Sequence, residues 1–415
     1  MKWLKRWKTQ FLLLMAVVGP GFITANVDND AGGIFTYSFA GAQFGYSLLW
    51  TILPMTLALI VVQEMSARMG AITGKGLSDL IREEYGLRIT FVMMMLLVAT
   101  NFTNVMAEFA GVASSMELFH VSKYLSVPVA AAIVWLIVVK GNYKSVEKVF
   151  LTASFFYIAY IIAGVLSRPN WPAAAVSTVH PPTDPALFRV PGYVYMVTGI
   201  IGATIAPWMQ FYLQASVVEK GVTERDYKTT RIDVLVGSIF APLVAGFIIL
   251  ACAATLYKSG HRMITDAADA AQALGPLAGR WARILFGAGL FNASLFAASI
   301  LPLSTAYTVC EGLGFESGLD KKFSEASVFY WLYTALVGAG AAAILLPRFP
   351  LLKIPVLSQV FNGVLLPFVL LFMLLLINKS SLMGKYVNGR IFNLIAWITV
   401  LILIALAVTY AVVGQ

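Results

Sequence analysis

Asn26-Val-Asp-Asn-Asp-Ala-Gly-Gly33 decides the fold, because it sets two carboxylates, two amides and two glycines inside a run that is otherwise apolar from Phe11 to Ala42. A charged side chain at the centre of a bilayer costs at least about 2.5–3.5 kcal/mol on insertion scales, and adjacent glycines weaken a helix. This stretch is therefore not expected to be a continuous helix. Non-helical backbone at membrane depth is tolerated where it lines a cavity or is buried in protein. The rest of the chain supports a membrane reading, with 59% hydrophobic residues, 12% charged residues and a mean hydropathy of +0.81 over 415 residues. Recurring apolar runs of about 20 residues predict helical spans. Their continuity excludes the alternating pattern of a membrane β-barrel.

Eleven spans are predicted, at about 11–42, 47–66, 90–117, 125–140, 148–167, 192–218, 232–257, 282–311, 327–346, 354–377 and 391–413. The sixth is also interrupted, by Gly199-Ile-Ile-Gly-Ala-Thr-Ile-Ala-Pro-Trp208. Breaks in two spans five apart point to a transporter built from inverted repeats, with its site at the midplane between them. The expected fold is thus an all-α integral membrane protein of 11 transmembrane helices, with helices one and six broken. Residues 1–415 form one transporter domain: repeat one at about 11–167, repeat two at about 192–377, and an additional helix at about 391–413.

The net charge of +9 reads as orientation, not as affinity for nucleic acid, because the basic residues cluster in loops beside apolar spans. With a cytoplasmic N-terminus, 20 of the 29 Lys and Arg residues fall on the inner side. The basic start, Met1 to Lys8, leads into Phe11–Val18 and on into more membrane-like sequence, so it is expected to be a retained first helix and not a cleaved signal. Cys252 and Cys310 lie in apolar runs and read as packing residues. Glu64 and Arg68, one turn apart, read as an interfacial ion pair. Met93–Met95 reads as packing, since consecutive helical residues point in different directions.

The residues around the first break resemble a known family. Gly19-Pro-Gly-Phe, followed after seven residues by Asp30-Ala-Gly-Gly33 and then by Ala40-Gly-Ala-Gln-Phe-Gly-Tyr-Ser-Leu-Leu-Trp50, is similar to the first-helix signature of the NRAMP divalent-metal transporters. Ala67-Arg-Met-Gly-Ala-Ile-Thr-Gly-Lys75 resembles the loop that follows, and Ser358-Gln-Val-Phe-Asn-Gly-Val-Leu-Leu-Pro-Phe368 resembles the tenth helix. The resemblance implies the LeuT-type fold, alternating access, and a metal site between helices one and six.

Two departures bear on the ion. Gly33 stands where the family has Asn, and Ala206 where it has Met. Losing a thioether and an amide favours a hard, partly hydrated ion, and this is the pattern of the NRAMP-related magnesium transporters. The expected ligands are the Asp30 carboxylate, carbonyls freed near Ala203 and Ala206, the Gln359 side chain and water, with Gly33 leaving room. Asp28 is a candidate second charge at the cavity wall. Capping of the second half-helix is the alternative role for these acids, although one cap would not account for both.

Trp208 replaces the His that proton-carrying members have, and Val105 replaces an Asp ahead of a retained Glu108, so the usual proton relay is cut. The expectation is downhill import of Mg2+, and of Mn2+, without obligatory proton movement, by a monomer in the plasma or inner membrane. The ions are substrates, and no cofactor is expected. The alternatives are a proton-coupled Mn2+/Fe2+ symporter and a sodium-coupled amino acid symporter on the same fold. The latter conflicts with an aspartate where a substrate carboxylate would lie. An intramembrane metalloenzyme would need a ligand set such as His-Glu-x-x-His, which the sequence lacks, so an enzyme is not expected.

Overall fold

The computed structural model describes residues 19–141, 155–190, 192–265, 267–275 and 279–413. The predicted beginnings of the first span (11–18) and the fifth (148–154), and the N-terminal basic cluster, lie outside them. Among the described residues all regular structure is helical. The main helices are α1 (Pro20–Asn26), α2 (Ala31–Phe44), α3 (Ile52–Thr73), α4 (Leu77–Tyr85), α5 (Leu87–Glu117), α6 (Lys123–Lys140), α7 (Ile158–Leu166), α8 (Trp171–Val179), α9 (Tyr193–Thr204), α10 (Pro207–Glu219), α11 (Tyr227–Cys252), α12 (Ala282–Leu313), α13 (Ser327–Ile344), α14 (Lys353–Ile377) and α15 (Arg390–Val413).

Nine helical stretches of the described residues are long and apolar enough to cross a membrane. The predicted first and second spans are joined in one such stretch, Ala31–Thr73. Between α2 and α3 the chain turns through a short 3-10 segment, Gly45–Thr51, with Gly45 at φ 59°. Only glycine adopts that angle without strain. The loop expected between the two halves contains α8, whose N-cap Asn170 accepts from the Ala173 amide at 3.2 Å.

The half-helix α1 begins with Pro20 in its first turn, where a missing N–H costs nothing. The amides at its start are held by a residue more than 200 positions away: Asp233 of α11 accepts from Gly19 and Gly21 at 2.7 Å each and from Phe22 at 3.1 Å. A Cβ on Gly21 would lie 2.7 Å from the Val234 Cα. The Gly-Pro-Gly element thus lets α1 rest its backbone directly on α11, close packing of the kind small residues permit in membranes. The same device joins α9 to α14, where a Cβ on Gly202 would fall 1.8 Å from the Gln359 carbonyl oxygen.

Glu64 and Arg68 are buried, 3.1 Å apart, and not interfacial as expected from their place at the end of a span. Arg68 also donates to the Tyr386 carbonyl at 3.0 Å and to the Asn388 side chain, and Glu64 accepts from the Tyr227 hydroxyl. The turn ahead of α15 folds over the pair and removes it from the surface. Met93 and Met94 are buried and Met95 is exposed, as consecutive helical residues should be. Cys252 and Cys310 are buried free thiols.

Candidate functional site

Both expected breaks are present. At the first, α1 ends at Asn26, Val27–Asn29 form a 3-10 turn, and Asp30 is extended (φ −71°, ψ −173°) before α2 begins. The Asp30 carboxylate accepts from the Gly33 amide at 2.7 Å and so caps α2, with the helix dipole favouring its charge. Capping is therefore real for Asp30. It does not extend to Asp28, whose two carboxylate oxygens are buried without a hydrogen-bond partner among the described residues.

The amides flanking Asp28 face the same way chemically. Asn26 donates to the Phe22 carbonyl at 2.8 Å and Asn29 to the Ala241 carbonyl at 3.3 Å, and each leaves its side-chain oxygen buried and unpartnered. Among the described residues, four acceptor oxygens within four positions thus lack donors. Buried polar atoms are normally satisfied, and an acceptor-only cluster is one that a cation or ordered water satisfies.

The glycines of the break are tightly packed. A Cβ on Gly33 would lie 2.0 Å from the Asp28 carbonyl oxygen, and one on Gly32 would lie 1.9 Å from the Gln359 amide nitrogen. The first turn of α2 is clasped between the backbone of the break and α14.

At the second break α9 ends at Thr204, Ile205 and Ala206 leave the helical region, and Pro207 opens α10. The Ala203 carbonyl has no donor four residues on, because Pro207 has no N–H. The Gly202 carbonyl loses its donor differently: the Ala206 amide donates instead to the Met209 sulfur, at 3.3 Å. The Ala206 carbonyl, expected to be free, accepts from the Met209 amide at 3.2 Å. The Gln210 side-chain amide, turned over to satisfy both of its ends, donates to it as well, at 2.8 Å. Among the described residues, the carbonyls left without their helical donors are therefore those of Gly202 and Ala203. A Tyr37–Thr204 hydroxyl contact of 3.2 Å ties α2 to the end of α9, bringing the two breaks together.

Gln359 of α14 faces the first turn of α2 with its nitrogen, while its oxygen accepts from Asn362 at 2.9 Å. Asn362 in turn exchanges hydrogen bonds with Asn104 of α5, at 3.0 and 3.2 Å. Glu108 is buried, accepts from the Ala31 amide at 3.2 Å, and lies within hydrogen-bonding range of the Asp30 carboxyl group. Trp208 is 2% exposed, its ring 6.2 Å from that of Tyr212.

Two residues at the site were not anticipated. Tyr157, buried with a hydroxyl that has no partner among the described residues, lies within electrostatic range of Asp30, Glu108 and Asp28. Its signal in the sequence is a hydroxyl at the end of the aromatic run Phe155-Phe-Tyr157, which Tyr160 shares one turn on. Met209 stands three residues past the N-cap of α10, the position from which a side chain reaches back to the cap. The histidines are elsewhere: His120 follows α5, His180 follows α8, and His261 pairs with Asp269 at 3.1 Å. Among the described residues no three His, Cys, Asp or Glu side chains are grouped as a metal cluster. An ion between the breaks would be held by carboxylate, neutral oxygen and water.

The chain matches, over residues 21–413, the family described as natural resistance-associated macrophage protein-like, or Nramp. It belongs to this family. An Nramp relative from Ralstonia nicotianae, named divalent metal cation transporter MntH, is 31% identical over 405 residues, covering 92% of this chain and 88% of its own. The MntH of Aeromonas hydrophila is 28% identical and covers 94% of each chain. Among solved structures, the manganese transporter of Eremococcus coleocola superposes with a TM-score of 0.74 at 22% identity, over 97% of this chain and 87% of that one. The nucleobase-cation symporter MHP1, in a closed conformation, superposes at 0.58 with 11% identity over 96% and 93%. The helical transporter fold that the first-helix signature implied is thereby shown, and the relatives it is similar to here are named as transporters.

Proposed function

We propose that this Nramp protein carries divalent cations across a cell membrane, taking Mg2+ and Mn2+ as partly hydrated ions between the two helix breaks by alternating access. The observation that carries this reading is the set of unsatisfied oxygens there: the Asp28 carboxylate, the Asn26 and Asn29 side chains, and the carbonyls of Gly202 and Ala203, beside the Asp30 carboxylate. Hard divalent ions bind such oxygens, and Mg2+ keeps part of its water. The names of the MntH relatives and of the manganese transporter support a divalent ion. In this reading eleven spans cross the membrane, spans one to five and six to ten form the repeats, the N-terminus is cytoplasmic, and the protein acts as a monomer.

Proton movement is not obligatory in this account, since Trp208 and Val105 supply no titratable side chain. One observation favours the proton-coupled alternative: Glu108 is buried beside the first turn of α2, with its carboxyl group within hydrogen-bonding range of that of Asp30. Uptake into proteoliposomes loaded with Mg2+, Mn2+ and pH indicators separates the two. The expected result is entry of both metals with no change of internal pH beyond that of protein-free vesicles. Acidification that tracks metal entry would contradict uncoupled transport, and Mn2+ entry without Mg2+ entry would contradict the selectivity.

A further inference from the structure

We infer that Asp233 is a positioning residue for the ion site: from α11 it fixes the half-helix α1, and through it the Asn26 and Asp28 oxygens at the first break. The inference rests on the proposed entry of an ion between the breaks and assigns a residue outside that site the task of arranging it.

Asp233 is 2% exposed, and its two oxygens take every amide that α1 leaves free at its start. Oδ1 accepts from Gly19 and Phe22 and Oδ2 from Gly21; Pro20 has no N–H to offer, and the next amide, that of Ile23, bonds to the Gly19 carbonyl at 3.0 Å. A helix ordinarily receives this cap from its own N-cap side chain. Here the N-cap is Gly19, and a Cβ on it would lie 2.8 Å from the Lys220 Nζ and 3.3 Å from an Asp233 carboxylate oxygen. A local cap would stabilise α1 wherever it sat, whereas one borrowed from α11 also sets its place. With seven residues α1 is shorter than the ~12–15 at which an isolated helix becomes marginal, so it depends on that tie. Its far end, about 10 Å on, is the break.

The contacts run on to the proposed ligands. Asp233 holds the Phe22 amide, the Phe22 carbonyl accepts from the Asn26 side chain at 2.8 Å, and the Asn26 oxygen is one of those left for an ion. At the break itself α11 grips a second time, where the Ala241 carbonyl accepts from Asn29 at 3.3 Å. Between the two grips the backbones touch, since a Cβ on Gly237 would fall 2.7 Å from the Phe22 Cα.

The test compares the purified full-length wild type with Asp233→Asn, which keeps the shape and turns one acceptor into a donor, and with Val134→Ala, a buried truncation in α6 where it packs on α5 and α13. Melting and equilibrium binding of Mn2+ and Mg2+ are measured on each, with deuterium exchange of the wild type. Both variants should melt below the wild type. Asp233→Asn should bind both ions about tenfold more weakly per folded molecule, the low end of what loss of an outer-shell partner costs, while Val134→Ala stays within about twofold of the wild type. Saturating Mn2+ should slow exchange of the wild-type peptide that holds Gly21 and Phe22 and leave the peptide around Val134 unchanged. An Asp233→Asn protein that melts low yet binds both ions like the wild type reduces Asp233 to a cap and overturns the inference. An equal loss of affinity in Val134→Ala makes the effect one of general instability and overturns it too. Should Asp233→Asn not fold, the exchange decides, and an unchanged rate at Gly21 and Phe22 overturns it. All of these leave the proposed function standing; a wild type that binds neither ion removes both.

Discussion

Asp30→Ala is expected to reduce Mg2+ and Mn2+ uptake to the level of protein-free vesicles. The carboxylate of Asp30 is anchored at the first break by its bond to the Gly33 amide, so its charge is fixed in place before an ion arrives. Loss of even an outer-shell partner lowers metal affinity by about 10–100-fold, and loss of a direct ligand should cost at least as much. The same substitution removes the N-cap of α2, at a cost of about 0.5–2 kcal/mol. Asp30→Asn separates the two effects, since Asn caps a helix as well as Asp and carries no charge. It should melt close to the wild type in detergent and still fail to transport. Uptake by Asp30→Asn at the wild-type rate would show that the charge at this position is not needed.

Gly33→Asn carries the second large effect, and its sign runs against family resemblance. The sequence comparison makes Gly33 a lost Asn ligand, so restoring Asn would be expected to restore preference for transition metals. The geometry opposes this, because any Cβ at position 33 meets the Asp28 carbonyl oxygen at 2.0 Å. The neighbour is backbone and cannot swing aside, so the break itself must shift. Overpacking of this kind costs about 1–3 kcal/mol, and here the displaced group carries the unpartnered Asp28 side chain. The expected outcome is a lower melting temperature and loss of both Mg2+ and Mn2+ uptake. Ala206→Met is the informative companion, since position 206 is extended (φ −75°, ψ 143°) and accepts any L-residue. A gain of Mn2+ uptake in Gly33→Asn would show that the turn can accommodate the family's arrangement.

The breaks were legible in the sequence because they violate strong local rules: paired carboxylates and glycines in one apolar run, and a proline in another. Boundaries of the later helices were legible for the opposite reason, each being a long apolar run with polar ends. What could not be read depends on contacts between distant segments. That Asp233 would hold the start of α1, 214 positions away at Gly19, leaves no trace in local composition. Glu64 and Arg68 looked interfacial because nothing near them in sequence shows that the turn ahead of α15 covers them. Carbonyls near both Ala203 and Ala206 were expected to be free; Pro207 leaves that of Ala203 without its helical donor, whereas that of Ala206 accepts from the Met209 amide. Met209 was not singled out in the sequence. Its role depends on the turn of the chain at Ile205 and Ala206, which decides where an N3 side chain can reach.

The account stands on an ion being held between the two breaks by Asp30 and the carbonyls opened in the sixth span. An anomalous difference map from crystals soaked in Mn2+ tests this most directly. The account predicts a peak within coordination distance of the Asp30 carboxylate and the Ala203 carbonyl oxygen, lost in Asp30→Asn. A principal peak away from both breaks, or one that persists unchanged in the variant, would contradict it.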